Sequence, residues 1–378
     1  MGSRLAWLDR RRQLCLSGPG GQRLSTAPDV AWGTWEAMGD EEVHSWPTWS
    51  PDGRRVASFR IAKERGLECH VRVTEADGVT ASEIAELEGR LPIYLQWSPD
   101  GSRVRVLTQE GDSLHLEEAH ADDLSPPKQI LEGSPLFFEH HDDDVVAFVG
   151  EADGPALVVI RSDGKRHALP GVPGNFCAPM VLNDQVLYVV HTPDGMELVA
   201  TEVDGTGPLR PMGAVRGLAS LVGSPSGDRL AWAVDPQGTG AAYRSLSLLD
   251  PATGDSEQLT DLPLIAYLWQ PDGLGLVGVE QIDPATLRWH RIGLDGYTRK
   301  LADLHATRDL RFFLRFFEQF GRSHALIDAE SRHLVLAGGL TDRDDPRGTP
   351  RIWRVGLDDE QIDEVDEGMF ATYAPRSS

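Results

Sequence analysis

The chain has 378 residues, 40% of them hydrophobic and 7% aromatic, enough apolar material for a large core. Lys and Arg number 36 against 59 Asp and Glu, a formal net charge of −23. Such a surface repels phosphate backbones and anionic bilayers, so no nucleic acid and no membrane is expected as a partner, and the excess carboxylate reads most plainly as a solubility device.

The amino-terminal stretch MGSRLAWLDRRRQLCLSG has its longest apolar run at Leu5–Leu8, too short for a signal-peptide core and interrupted by Asp9, Arg10, Arg11 and Arg12. No window approaches a membrane span. The three cysteines, Cys15, Cys69 and Cys177, are odd in number and far apart, so they read as small buried side chains in a reducing compartment. A cytoplasmic location is expected. RLAWLD, QLCLSG and QRLST then read as three strands of a sheet that lacks a first strand.

After an irregular join at residues 29–44, the chain repeats itself. WPTWSPDGRRVASFRI starts at Trp46, YLQWSPDGSRVRVLTQ at Tyr94 and YLWQPDGLGLVGVEQ at Tyr267, with weaker copies starting at Phe137, Ala178, Leu221 and Ser323. Each copy is an alternating strand, a tight turn rich in Gly, Asp or Asn, and a second alternating strand, the pattern of a β-hairpin. The turn positions are Gly53, Gly101, Asp143, Asp184, Gly227, Gly273 and Glu330, spaced by 48, 42, 41, 43, 46 and 57 residues. A period in the forties matches a four-stranded propeller blade. Further turns such as QEGD, TPDGM, RSDG and DPATG supply the breaks after the second and third strands. Helix has little room, and the fold class is all-β.

The seventh copy is followed by GMFATYA, which alternates like the strand missing from the amino-terminal set. The expectation is one domain over residues 1–378: a single β-propeller of eight four-stranded blades, closed by pairing of the amino- and carboxy-terminal strands, with seven blades as second choice.

The residues Trp49-Ser50-Pro51-Asp52-Gly53, their copy at 97–101, the partial copy Gln270-Pro271-Asp272-Gly273 and the turn Asp250-Pro251-Ala252-Thr253-Gly254 resemble the repeats of the TolB-like propeller family. The resemblance spans nearly the whole chain and implies the propeller fold. It says less about function, because such propellers serve as assembly platforms, as peptidase-associated filters and as envelope proteins.

Signals of catalysis are weak. Gly223-Ser224-Pro225-Ser226-Gly227 places Pro where a G-x-S-x-G elbow needs its nucleophile. His140-His141-Asp142-Asp143-Asp144 is the densest run of potential metal ligands, but adjacent strand residues face opposite ways, so it reads as a solvated turn. No metal and no cofactor is expected. Trp49, Trp97 and Trp269 recur in register with the hairpin, which points to packing between blades.

Three departures from the repeat remain: residues 29–44, residues 304–322 and the polar loop at 341–350. All three are expected on one face of the disc, clustered in one sector of it. The second contains TRDLRFFLRFFEQFGR, in which Leu310, Phe313, Phe317 and Phe320 recur at helical spacing, predicting a short helix over 308–320 with Thr307 or Asp309 as cap. Trp32, Trp35, Arg311, Arg315, Phe316 and Phe317 are the candidate partner-binding residues, since Trp and Arg dominate interface energetics. The expected function is a non-enzymatic platform that binds another protein or peptide, the chain itself being a monomeric propeller within a complex. The alternatives are a channel-centred enzyme of lactonase or lyase type, or a stand-alone relative of the non-catalytic propeller of prolyl-oligopeptidase-type peptidases.

Overall fold

A computed structural model describes residues 3–17, 23–25, 42–62 and 68–376. The chain divides into two compact units. Unit 1 comprises Met1–Glu132, Asp303–Phe313 and Phe320–Ser378, and unit 2 comprises Gly133–Ala302 and Leu314–Gln319.

Both units are built from antiparallel sheets whose strands follow chain order. Unit 1 holds the sheet of Val43–Trp49, Arg55–Ala62, Glu68–Glu75 and Ala81–Glu86, and that of Leu91–Trp97, Arg103–Glu110, Ser113–His120 and Lys128–Gly133. It also holds the strands His333–Leu340, Arg351–Gly356 and Ile362–Glu367. In its remaining sheet the last strand, Phe370–Tyr373, lies beside the first, Leu5–Leu8, and Leu14–Ser17 and Arg23–Ser25 follow. The pairing expected of GMFATYA is therefore present, in the register Leu5 with Tyr373, Ala6 with Thr372, Trp7 with Ala371 and Leu8 with Phe370.

Unit 2 holds the sheet of Leu136–His141, Asp144–Glu151, Gly154–Ile160 and Arg166–Ala168, and that of Leu218–Gly223, Leu230–Asp235, Arg244–Leu249 and Ser256–Thr260. Between these in sequence, Gln185–Thr192, Gly195–Glu202 and Arg210–Val215 form a sheet whose first position is shared by two short strands, Val172–Pro173 and Met180–Leu182. Leu264–Trp269, Gly275–Gln281 and Leu287–Gly293 follow, and Thr298–Ala306 carries the chain on into unit 1.

The hairpins form where the turn chemistry dictates. Gly53 takes φ +65° and donates its N–H to the Ser50 carbonyl at 2.8 Å, while the Ser50 hydroxyl donates to Asp52 at 2.6 Å. Gly101, Ser98 and Asp100 repeat this arrangement, with Gly101 at φ +70°. In the degenerate copies the left-handed residue falls one place away from the expected one: Asp142 rather than Asp143, Asn183 rather than Asp184, and Ser331 rather than Glu330. At the first two of these, strand succeeds strand across only two loop residues, so the turn is shorter than in the Pro-Asp-Gly copies.

The repeat tryptophans tie neighbouring sheets together, as their register implies. Trp97 Nε1 donates to the Thr48 carbonyl at 3.0 Å, Trp49 Nε1 to the Thr372 carbonyl at 3.3 Å, and Trp269 Nε1 to the Val222 carbonyl at 2.9 Å. The Arg55 guanidinium lies 5.0 Å from the Trp97 ring centroid and also donates to the Gly101 carbonyl and to Asp122, both at 2.7 Å. Arg4 does the same at Trp49 and Gly53. The strand faces beneath these ties bury Phe59, Val71, Leu95 and Val106 in unit 1, and Val146, Val159, Leu187 and Tyr188 in unit 2. Burial of such side chains, at about 1.5–3 kcal/mol each for the larger ones, is the main driving force.

Candidate functional site

The departures at 304–322 and 341–350 lie wholly among the described residues, and the first of these carries the candidate residues. Thr307 starts the helix Arg308–Arg315: its hydroxyl accepts the Leu310 N–H at 3.2 Å and donates to the Met369 carbonyl at 2.6 Å. Asp309 sits in the first turn and Arg315 in the last, the signs the helix dipole favours. A second short helical turn, Phe317–Phe320, follows a break at Phe316.

In unit 1, Phe313 and Phe320 are buried, and Phe320 lies 4.6 Å from Trp46, 4.8 Å from Tyr94 and 5.4 Å from His324, ring to ring. Burial pushes the His324 imidazole down to about 4, so the ring is neutral at physiological pH. Trp46 stands in a β-bulge between Ser45 and Thr48 with φ +52°, a backbone state that is costly for an aromatic residue and that turns the indole out of the ladder. Beside it opens a pocket of about 260 Å³, walled by Leu8, Trp46, Ile61, Ile93, Phe312 and Phe370. Arg12, Arg308 and Asp309 also line it, and Arg12 donates to Asp309 at 2.7 Å.

In unit 2, the same segment engages sheet edges. The Gln319 amide accepts the Phe138 N–H at 3.2 Å and donates to the Phe138 carbonyl at 3.0 Å. Glu318 accepts the Leu221 N–H at 3.1 Å, and Phe317 packs 5.1 Å from Tyr267. Leu136–His141 and Leu218–Gly223 are edge strands, so these bonds satisfy backbone groups that would otherwise be open. Phe316 is half-buried, 6.3 Å from Phe137, and the exposed Arg315 lies 5.6 Å from the Phe316 ring. Phe176 extends this cluster, 4.5 Å from Phe137 and 5.0 Å from Phe148.

The candidate residues therefore separate. Trp32 and Trp35 lie outside the described residues. Arg315 is exposed, while Arg311 and Phe316 are half-buried. Phe317 is only 2% exposed; its ring packs on the face it shares with Leu310, Phe313 and Phe320, so it is removed from the candidate partner-binding residues. Leu310, Phe313, Phe317 and Phe320 are all buried, so the helical spacing places them correctly on both sides of the break at Phe316. Phe137 and Phe176 were not singled out from the sequence, although the doublet Phe137-Phe138 on a first strand is the signal that pointed there. The run at 140–144 forms a hairpin turn, with His141 3.3 Å from Asp184 and Asp144 bonded to Arg161 at 2.7 Å.

No family model matches the sequence, and no curated protein matches it. Solved structures do match. An oligogalacturonate lyase in complex with manganese aligns over 94% of this chain and 96% of its own, at 12% identity and a TM-score of 0.54. The β-propeller domain of the trilobed protease from Pyrococcus furiosus aligns over 86% of this chain and 96% of its own, at 12% identity and a TM-score of 0.52. The fold is a β-propeller. TolB from Acinetobacter baumannii aligns over 79% of this propeller at 14% identity and a TM-score of 0.41, and this chain spans 63% of that structure's length. Among the described residues, no helix of the propeller is long and apolar enough to cross a membrane.

Proposed function

We propose that this propeller is a non-enzymatic, TolB-like scaffold that binds another protein or peptide in the cytoplasm. The observation that carries the reading is the cluster of Arg315, Phe316, Phe137 and Phe176, an exposed guanidinium beside partly open rings. Arg and aromatic side chains dominate the energy of protein interfaces, each giving about 2 kcal/mol or more when central. The polar side chains next to that cluster, Glu318 and Gln319, are engaged by backbone groups of Leu221 and Phe138, a structural use of the groups a hydrolytic site would need. The fold by itself decides nothing here, because function resides in sites grafted on folds.

The reading includes an eight-bladed ring. It is supported by the sheets of chain-ordered strands and by the pairing of Phe370–Tyr373 with Leu5–Leu8, which joins the two ends of the chain in one sheet. The buried thiols of Cys15, Cys69 and Cys177 suit a reducing compartment. Immobilised on a matrix, the chain should retain a defined protein from its native host. Arg315→Ala or Phe316→Ala should weaken that capture by roughly 30-fold, the equivalent of about 2 kcal/mol, with the melting temperature held within a few degrees. Unchanged capture by both variants would sink the proposal.

A further inference from the structure

The pocket of unit 1 has a shape and a charge pattern of its own. Its volume of about 260 Å³ lies below the roughly 300–1,000 Å³ typical of cofactor and small-molecule sites, and it suits one large apolar side chain. The walls are rings and branched aliphatics, and Leu91, another lining residue, is 52% exposed. Trp46 is fixed against this space by Phe312 at 5.4 Å and Phe370 at 5.3 Å, ring to ring, despite its left-handed backbone. Strain of that kind persists where surrounding structure holds it, and it concentrates at ligand clamps.

The polar groups at the pocket are just as specific. Arg308 is exposed and has no ion-pair partner among the described residues. Arg12 is matched by Asp309, whose side chains are 23% and 13% exposed respectively, so that pair is locally neutral. The second Asp309 oxygen, Oδ2, is buried and accepts no hydrogen bond among the described residues. An apolar slot and an unmatched guanidinium together describe two parts of one ligand. On a chain of net charge −23, the unmatched cation selects an anion that the rest of the surface repels.

We infer that this pocket binds a partner peptide in which an apolar residue stands beside an Asp or Glu. The apolar side chain enters between Trp46, Phe312 and Phe370, and the neighbouring carboxylate pairs with Arg308. Charge-assisted pairing of a carboxylate with Arg is the stronger form of hydrogen bond, and it fixes the direction of the chain in the slot. The inference rests on the reading of the chain as a protein-binding scaffold but uses none of the residues of the Arg315 and Phe316 cluster.

The test is fluorescence anisotropy on the full chain with three labelled peptides, EDWEDG, EDAEDG and KKWKKG. EDWEDG should bind saturably, and the other two at least tenfold more weakly. Arg308→Glu, at an exposed position, should cut EDWEDG affinity at least tenfold while the melting temperature stays unchanged. Phe312→Ala, at a half-buried position, should cut it by a similar factor. Equal binding of EDWEDG and EDAEDG, or no effect of Arg308→Glu, would overturn the inference. So would an Arg308-dependent dimer in sedimentation, which would make the occupant a second copy of this chain. If host-protein capture depends on Arg315 while no peptide enters the pocket, the scaffold reading stands and this inference fails. If EDWEDG binds as described while capture is lost by neither Arg315→Ala nor Phe316→Ala, this inference stands and the Arg315 surface fails.

Discussion

Removal of residues 368–378 should abolish a stable fold. Phe370, Ala371, Thr372 and Tyr373 are all at most 3% exposed, and they form the only strand beside Leu5–Leu8 on that flank among the described residues. Their loss also takes away the acceptor of Trp49 Nε1 at Thr372 and the bond from the Tyr373 N–H to the Ala325 carbonyl at 2.8 Å. Phe370→Ala by itself is expected to cost about 3–5 kcal/mol, the usual range for a fully buried Phe. Whole domains are stable by only about 5–15 kcal/mol, so loss of the complete strand exceeds what the fold can absorb. The bare edge of Leu5–Leu8 would further invite pairing between chains. Expression of the shortened chain should give aggregate, and a soluble monomer with an unchanged urea midpoint would show that the terminal pairing contributes little.

Phe320→Ala carries the second-largest expected effect. The ring is 2% exposed and meets Trp46, Tyr94, Phe312, Phe313 and His324 at centroid distances from 4.6 to 6.1 Å. Truncation leaves a cavity among side chains that pack against one another and cannot easily collapse, so a loss of about 3–5 kcal/mol is expected, with Phe320→Leu losing less than half of that. Urea denaturation monitored by tryptophan fluorescence reads both. A cost below about 1 kcal/mol for the alanine variant would mean that the ring is not a packing centre of unit 1.

What was legible in the sequence was what local chemistry fixes. The Pro-Asp-Gly turns at Gly53 and Gly101 need a left-handed residue at one place, and glycine marks it. The strand at Phe370–Tyr373 was legible because the amino-terminal set lacked a partner. The one-residue offsets at Asp142 and Asn183 arose because Asp and Asn tolerate the left-handed state, so adjacent ones do not say which member adopts it, while at Ser331 no residue type marks the position. The helix around Leu310 and Phe313 followed from periodicity, which also put Phe317 and Phe320 on the buried face; the break at Phe316 has no signal in that pattern. The pocket was out of reach altogether. Leu8, Trp46, Ile93, Phe312 and Phe370 come from distant parts of the chain, and each reads alone as an ordinary core residue.

The claim that this propeller binds and does not turn over substrate is tested most directly by an activity screen of the purified chain. Peptidase, esterase, lactonase and oligogalacturonide substrates would be offered with and without Mn²⁺ and other divalent cations. The account predicts no turnover above the buffer rate for any of them. Saturable turnover that Glu318→Gln or another single substitution abolishes, with the melting temperature unchanged, would contradict it.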